Sequence, residues 1–353
     1  MIDLTELGKR IEAGLVLADK HLTEDLCIYN YTKRAQYDRV WDEYTRICRG
    51  LILDSGGNII SRPFPKFFNL NETPETTIQN LPNEIPKITE KMDGMLGISY
   101  PENRNISIAT RGRFKSPFAI WATEWLRKQG YVYADFREEY TYCFEIIYPG
   151  SKIVVDYGTR TELVLLAVIN IANTKELNFK KEAEELGLSY VPEYRFKNLD
   201  EAEEWLSGFK GTEKEGLVLH YKNGLRIKIK SDDYKRIHKI LTGISAKDIW
   251  ASLKAGASLD PILELAPDEL YQWIKDTERE LVKEKDGILN SARAVSKEAA
   301  KLSTRKEQAA FVLKYPSIKG IVFSFLDGRE EDAEQGAWDI VKPSGEEKQK
   351  RRR

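Results

Sequence analysis

The sequence predicts an α+β protein, with a mainly antiparallel-sheet domain up to about residue 238 followed by a mostly α-helical C-terminal domain. Three observations carry that expectation. Short apolar runs bounded by turn residues recur from Arg49 to Lys230, which is the pattern of sheet strands. Two of the turns, Asp54-Ser55-Gly56-Gly57 and Asn223-Gly224, are hairpin signals. From Ser231 onward the character changes, with helix starts at Ser245/Asp248 and Asp260-Pro261.

In order along the chain, Met1 to Lys20 is an amphipathic helix candidate carrying acids early, unlike the layout of a signal peptide. Arg49 to Ile60 reads as a hairpin, and the Pro-rich Arg62 to Phe68 as a packed loop. Strands are expected around Lys87–Lys91, Leu96–Tyr100, Ile106–Thr110, Thr141–Tyr148 and Lys152–Tyr157. The fully apolar Leu163–Ile169 is expected to be central. Phe118, Ala122, Trp125 and Leu126 mark one face of a helix over Ser116–Lys128. Two further helices, near Phe179–Leu186 and Asp200–Phe209, lead into a hairpin over Gly216–Lys230. Beyond it, Pro267 opens a long amphipathic stretch through Leu302, and Gly320–Phe325 is expected to add a late strand. The domains are thus 1–238, a helical 239–345, and a basic tail, 346–353, expected to be disordered.

With 353 residues, 41% of them hydrophobic and 31% charged, the chain has room for two domains with a sizeable core. No run is long and apolar enough for a membrane span. Cys27, Cys48 and Cys143 are too few and too scattered for a disulfide framework or a zinc site, so a cytoplasmic location is expected. A formal net charge of -1 argues against a chain coated in nucleic acid, but local basic stretches exist. Asn103–Thr123 holds Arg104, Arg111, Arg113 and Lys115 and no acid, and Lys222–Lys239 is mostly basic.

The sharpest local feature is Glu90-Lys91-Met92-Asp93-Gly94, between two expected strands, with Gly94 read as allowing a turn of unusual backbone angles. A lysine attacks phosphorus only as the free amine, which requires burial or nearby positive charge. Alone, Lys-x-Asp-Gly is equally a surface turn. In Arg226-Ile227-Lys228-Ile229-Lys230, alternation puts Arg226, Lys228 and Lys230 on one face. That row suits a triphosphate, or else a solvent-facing edge strand. Glu145 and Glu215 stand in or beside apolar strands, where a carboxylate needs a cation, a hydroxyl or a hydrated metal, or a structural ion pair. His21, His220 and His238 read as structural or surface residues.

Taken in order, these pieces resemble the covalent nucleotidyltransferases, and most closely the RNA ligase 1 family of T-even bacteriophage type. The likeness rests on Cys48-Arg49-Gly50-Leu51-Ile52, Pro65-Lys66-Phe67-Phe68-Asn69, Lys91-Met92-Asp93-Gly94 and Thr110-Arg111-Gly112-Arg113-Phe114-Lys115-Ser116. It continues through Phe144-Glu145, Ile153-Val154-Val155-Asp156-Tyr157, Glu215-Gly216 and Lys228-Ile229-Lys230-Ser231. Each motif is loose, whereas eight in the family's order are not.

The resemblance implies that residues 1–238 form an adenylyltransferase domain and that the enzyme joins 5′-phosphate and 3′-hydroxyl RNA ends with ATP and Mg²⁺ or Mn²⁺. It implies Lys91 as the nucleophile that takes AMP, and Lys228 and Lys230 as catalytic grips on the α-phosphate and pyrophosphate. Arg49, Lys66 and Glu90 would belong to the nucleotide pocket, Glu145 would bind the ribose, and Glu215 would hold the metal through water. Arg111 and Lys115 are weaker candidates for RNA contact. One departure stands out: where many superfamily members carry a base-stacking aromatic, two residues before the glutamate, this chain has Cys143. The base's stacking partner is therefore open.

The resemblance further implies a monomer in a bacterial or phage-infected cell, with the helical domain as a candidate RNA-specificity module. Cleaved tRNA is a substrate class for such a module. Because the sequence has no P-loop, a separate end-healing enzyme is expected. The alternatives are a DNA ligase or an mRNA capping guanylyltransferase, both of which usually continue into a β-rich OB-fold, and a non-catalytic RNA-binding protein.

Overall fold

The computed structural model describes residues 1–265 and 270–343, and only the backbone at 239–242, 264–265 and 270–272. Pro267 and the tail 346–353 lie outside the described residues. Two compact units divide between Leu241 and Thr242.

The first unit opens with α1 (Leu4–Glu12), capped by the Asp3 carboxylate on the amides of Thr5 and Glu6. A four-stranded antiparallel sheet follows: β1 (Val16–Lys20), β2 (Leu26–Tyr31), then, after α2 (Lys33–Tyr37) and α3 (Glu43–Ile47), the hairpin β3 (Arg49–Asp54) and β4 (Ile59–Ser61). The helix expected over Met1–Lys20 ends at Glu12, and Val16–Lys20 is β1 instead; neither β1 nor β2 is legible as a strand, because their side chains alternate poorly in burial. On one side Leu7 of α1 packs with Val16, Tyr29, Leu51 and Leu53. On the other, Ile28 and Ile52 meet Tyr100, Ala109 and Phe114.

The chain then lays down β5 (Phe68–Asn69), β6 (Lys87–Lys91), β7 (Met95–Glu102), β8 (Asn105–Thr110), α4 (Pro117–Lys128), β9 (Tyr140–Ile147) and β10 (Glu162–Asn170). Next come α5 (Phe179–Leu186), β11 (Ser189–Tyr190), β12 (Glu193–Tyr194), α6 (Leu199–Ser207), and the hairpin β13 (Gly216–His220) and β14 (Arg226–Lys230). These strands form two five-stranded sheets, β11-β10-β9-β7-β8 and β12-β6-β13-β14-β5. All neighbours are antiparallel except β10–β11 and β14–β5. Apolar β10 has neighbours on both sides, but β9 is the middle strand.

Residues 152–157 are not a strand. The amides of Val154 and Val155 donate to Asp93 Oδ2, both at 2.8 Å, instead of to a ladder. An apolar run reads as a strand only if its amides are free to pair, and here a distant carboxylate takes them.

After β14 every described element is a helix: α7 (Asp232–Thr242), α8 (Ala246–Lys254), α9 (Asp260–Leu265), α10 (Leu270–Ala299), α11 (Arg305–Val312), α12 (Lys319–Leu326) and α13 (Glu330–Ile340). The strand expected over Gly320–Phe325 is therefore α12. Its Ile321 and Val322 pack with Ala292, Ala299, Val312, Ala333 and Ala337 in the second unit's core. A short apolar run cannot by itself distinguish a buried strand from a buried helix. No described helix is long and apolar enough to cross a membrane.

Candidate active site

Ladder register fixes which residues of the β6–β13–β14 sheet share a face. Lys91 pairs with Gly216 and Gly216 with Lys230; Thr89 pairs with Val218 and Val218 with Lys228; Lys87 pairs with His220 and His220 with Arg226. These three rungs lie on one face. The alternate residues, Ile88, Leu217, Leu219, Ile227 and Ile229, pack on the other against Ala202 and Leu206 of α6. The sheet thus has a greasy back and a cationic front. Because β14 is flanked by β13 and β5, it is not a solvent-facing edge strand, and Lys228 and Lys230 are buried.

At the first rung, Glu215 bridges two lysines: Oε2 lies 2.7 Å from Lys91 Nζ and Oε1 lies 2.6 Å from Lys230 Nζ. Burial alone would raise the Glu215 carboxyl, but Lys230 and Lys91 overcome it and hold the group below its ordinary value. Gly216 is required here by close approach, since a Cβ would stand 2.0 Å from the Ile229 carbonyl oxygen.

Lys91 ends β6, and the chain crosses to β7 in the neighbouring sheet through Met92, Asp93 and Gly94. Asp93 pins this crossover. Besides the two amides already named, Oδ1 accepts the Tyr234 hydroxyl at 2.8 Å, and the Asp93 amide donates to the Tyr157 hydroxyl oxygen at 2.9 Å. Gly94 does not adopt a left-handed conformation, contrary to the sequence expectation. Its missing side chain makes room: a Cβ would meet the Ile146 carbonyl oxygen at 2.7 Å.

Glu145 comes from β9 of that neighbouring sheet. Its carboxylate forms no hydrogen bond or ion pair among the described residues. Burial pushes it up to about 8; Lys91 opposes the rise, and Glu215 and Asp93 reinforce it. A half-buried acid without a partner among the described residues, coupled to a lysine and a second acid, fits a ligand hydroxyl or a hydrated cation.

The remaining sequence candidates are engaged with other side chains, and Arg49 is near enough to Glu145 to oppose its rise. Arg226 shares the face of Lys228 and Lys230 but is held by other partners: it is ion-paired with Glu176, lies 3.2 Å from His220 Nδ1 and stacks on Phe64. Burial, then Arg226, lowers His220 to about 4, so this histidine is neutral. Arg49 lies over the Phe67 ring. Lys66 is 5% exposed, its ammonium 5.4, 5.3 and 5.3 Å from the ring centres of Tyr31, Trp41 and Phe68. Arg111 donates to the Tyr31 hydroxyl at 3.0 Å and so flanks this aromatic box.

Lys115 stands elsewhere, 2.7 Å from Glu102, which also binds His21 at 2.9 Å and Ser107 at 2.6 Å. The Glu90 carboxylate takes Lys214 and Tyr194, both at 2.6 Å, in place of a nucleotide contact. Cys143 is fully buried with Phe64, Ala167 and Ile169, while Phe144 is core on the opposite side of β9. The sequence reading had not singled out Tyr157, Lys214 or Tyr234. For Tyr157 the available signal was its place in the Ile153–Tyr157 motif, and for Lys214 the mirrored pair of dipeptides, Glu90-Lys91 and Lys214-Glu215.

The model of the family described as RNA ligase, of T4 type 1, matches residues 47–234, more than half of the chain. The chain belongs to the RNA ligase family. It is 32% identical over 211 residues to a putative RNA ligase from Thermovibrio ammonificans, covering 56% of this chain and 54% of that one. The chain thus spans about half the length of that relative. An RNA ligase of Rhodothermus phage RM378 is 25% identical over 389 aligned positions, covering 87% and 86%. Among solved structures, Naegleria gruberi RNA ligase with pyrophosphate aligns at a TM-score of 0.36 and 17% identity, over 44% of this chain and 52% of that one.

Proposed function

We propose that this RNA ligase is ATP-dependent and joins a 5′-phosphate to a 3′-hydroxyl through a covalent AMP on Lys91. The observation that carries the reading is the Glu215 bridge between Lys91 and Lys230, close to Glu145, whose carboxylate has no partner among the described residues. In this reading Lys91 Nζ attacks the α-phosphorus of ATP, forming an N–P bond as the bond to pyrophosphate breaks. A 5′-phosphate oxygen of RNA then takes the AMP and releases Lys91. Finally a 3′-hydroxyl oxygen attacks the 5′-phosphorus, and AMP leaves. The lysines of the two rungs neutralise charge on the transferring group.

Among the described residues no three His, Cys, Asp or Glu side chains group to cage a metal. Glu145 and Glu215 together suit a Mg²⁺ or Mn²⁺ that keeps its waters and rides on the triphosphate. Such an ion supplies charge neutralisation at the phosphates when bound. The helical second unit, with no β-rich module after β14 among the described residues, favours RNA over the DNA ligase and capping alternatives. Broken tRNA, with ends prepared by a separate healing enzyme, is the substrate class we favour, and the site as described needs no second copy of the chain.

ATP labelled at the α- or γ-phosphate tests the reading. A covalent band is expected from the α label only and is expected to vanish in Lys91→Ala. No band from the wild type with either metal sinks the reading, and labelling by GTP instead redirects it to capping.

A further inference from the structure

We propose that Glu90 and Lys214 are positioning residues for the lysine-adenylylation step, holding Glu215 in place against Lys91 from the opposite face of the sheet. This rests on the reading of Lys91 as the AMP acceptor.

The β6–β13 ladder ends at the pair Lys91–Gly216. Lys214 and Glu215 lie just beyond it, where backbone pairing no longer dictates where a side chain points. Glu215 must nevertheless present both carboxylate oxygens, one to each lysine. Its carbonyl accepts the Ser231 amide at 3.0 Å, which anchors one side. The residue before it is anchored much more heavily. Lys214 Nζ is 2.6 Å from Glu90 Oε2, donates to the Tyr194 hydroxyl oxygen at 3.2 Å, and lies over the Tyr194, Trp205 and Phe209 rings at 5.6, 5.6 and 5.3 Å. Glu90 is buried and accepts the Tyr194 hydroxyl on the same oxygen.

Two reciprocal ion pairs result. Consecutive residues 90 and 91 carry acid then base, and consecutive residues 214 and 215 carry base then acid. Lys91–Glu215 lies at the cationic front of the sheet, and Glu90–Lys214 lies on the side of α6. No hydrogen bond or ion pair joins the side chains of the two pairs, so the back pair acts through the backbone of its neighbours. A displacement of about 1 Å at a reacting group costs up to roughly 100-fold in rate, which makes such an anchor matter for chemistry as well as for folding.

The test measures single-turnover formation of the labelled Lys91 adduct across ATP concentrations. Lys214→Met is expected to lower the maximal rate about 10- to 100-fold while the ATP concentration for half-maximal rate moves less than about threefold. Lys214→Arg, which keeps the charge and can lie on the same rings, is expected to recover most of the loss. If Lys214→Met does not fold, the neutral pair Glu90→Gln with Lys214→Met leaves no unpaired buried charge and is expected to fold yet remain slow. Wild-type rates per folded molecule in the neutral pair, or a loss confined to apparent ATP affinity, overturn the proposal. If the wild type itself takes no label, the ligase reading falls first, and this proposal with it.

Discussion

Two buried carboxylates in the first unit look alike on paper and differ in consequence. Glu215 is held between Lys91 and Lys230; Glu102 is held by Lys115, His21 and Ser107. Each is an acid beside at least one lysine, and each lies below its ordinary carboxylate range. Glu102, however, has a full complement of partners and no unmatched neighbour: the His21 Nδ1 accepts the amides of Thr23 and Glu24, while Nε2 meets the carboxylate. Glu215 sits opposite Glu145, an acid without a partner among the described residues. A closed network stabilises a fold; one with an unmatched, half-buried acid beside it is prepared for something to bind.

The largest effect that separates them is on adduct formation. Lys91→Ala is expected to abolish AMP transfer, whereas Lys115→Ala is expected to leave its rate within about threefold per folded molecule, both read by α-labelled ATP. Glu215→Ala comes next. It leaves the buried Lys230 ammonium beside the half-buried one of Lys91 and should cost about 3 kcal/mol in denaturant unfolding as well as at least about 100-fold in adduct rate.

Glu102→Gln should cost about 2 kcal/mol and leave the adduct rate alone. Its pH dependence supplies a sharper signature. Burial would raise Glu102, but the hydrogen bonds from Lys115 and Ser107 outweigh it and hold the carboxyl at about 2. Its folded state therefore holds fewer protons than the unfolded chain, and the stability it contributes is lost as pH falls from the ordinary carboxylate range, about 4.3, toward 2. In Glu102→Gln that part of the acid limb should disappear.

The smallest effect has the opposite sign. Glu145, pushed up to about 8, retains a proton that the unfolded chain releases, so ligand-free stability falls as pH rises from the ordinary carboxylate range to about 8. Glu145→Gln should raise Tm at pH 8.5 by about 3 °C and do nothing at pH 4. An unchanged Tm at pH 8.5 would mean that Glu145 is better accommodated as an anion than its surroundings suggest.

Much of the fold was legible because the determining forces are local. The two hairpins are written in Asp54–Gly57 and Asn223-Gly224, and the α4 helix in the spacing of Phe118, Ala122, Trp125 and Leu126. The cationic front of β14 follows from alternation alone. What escaped the reading depends on partners far away in sequence. Ile153-Val154-Val155 resembles a strand until Asp93 claims its amides, and Gly320–Phe325 resembles one until a helical core encloses it. Lys66 reads as a phosphate contact, and no local pattern announces that Tyr31, Trp41 and Phe68 surround it. Lys115 lies in a basic, acid-free stretch, yet the acid that claims it stands one residue before that stretch begins.

The Asp93 carboxylate has a consequence for the timing of synthesis. Its partners at Val154, Val155 and Tyr234 lie 61, 62 and 141 residues further along the chain. A nascent chain that has emerged only through β10 has the lysine and its crossover but lacks the last group that secures them. Closing so long a loop comes late in folding. The residue that would receive AMP is thus finished only after almost the whole first unit has left the ribosome, and a truncated chain ending before Tyr234 would expose a lysine without the framework to use it.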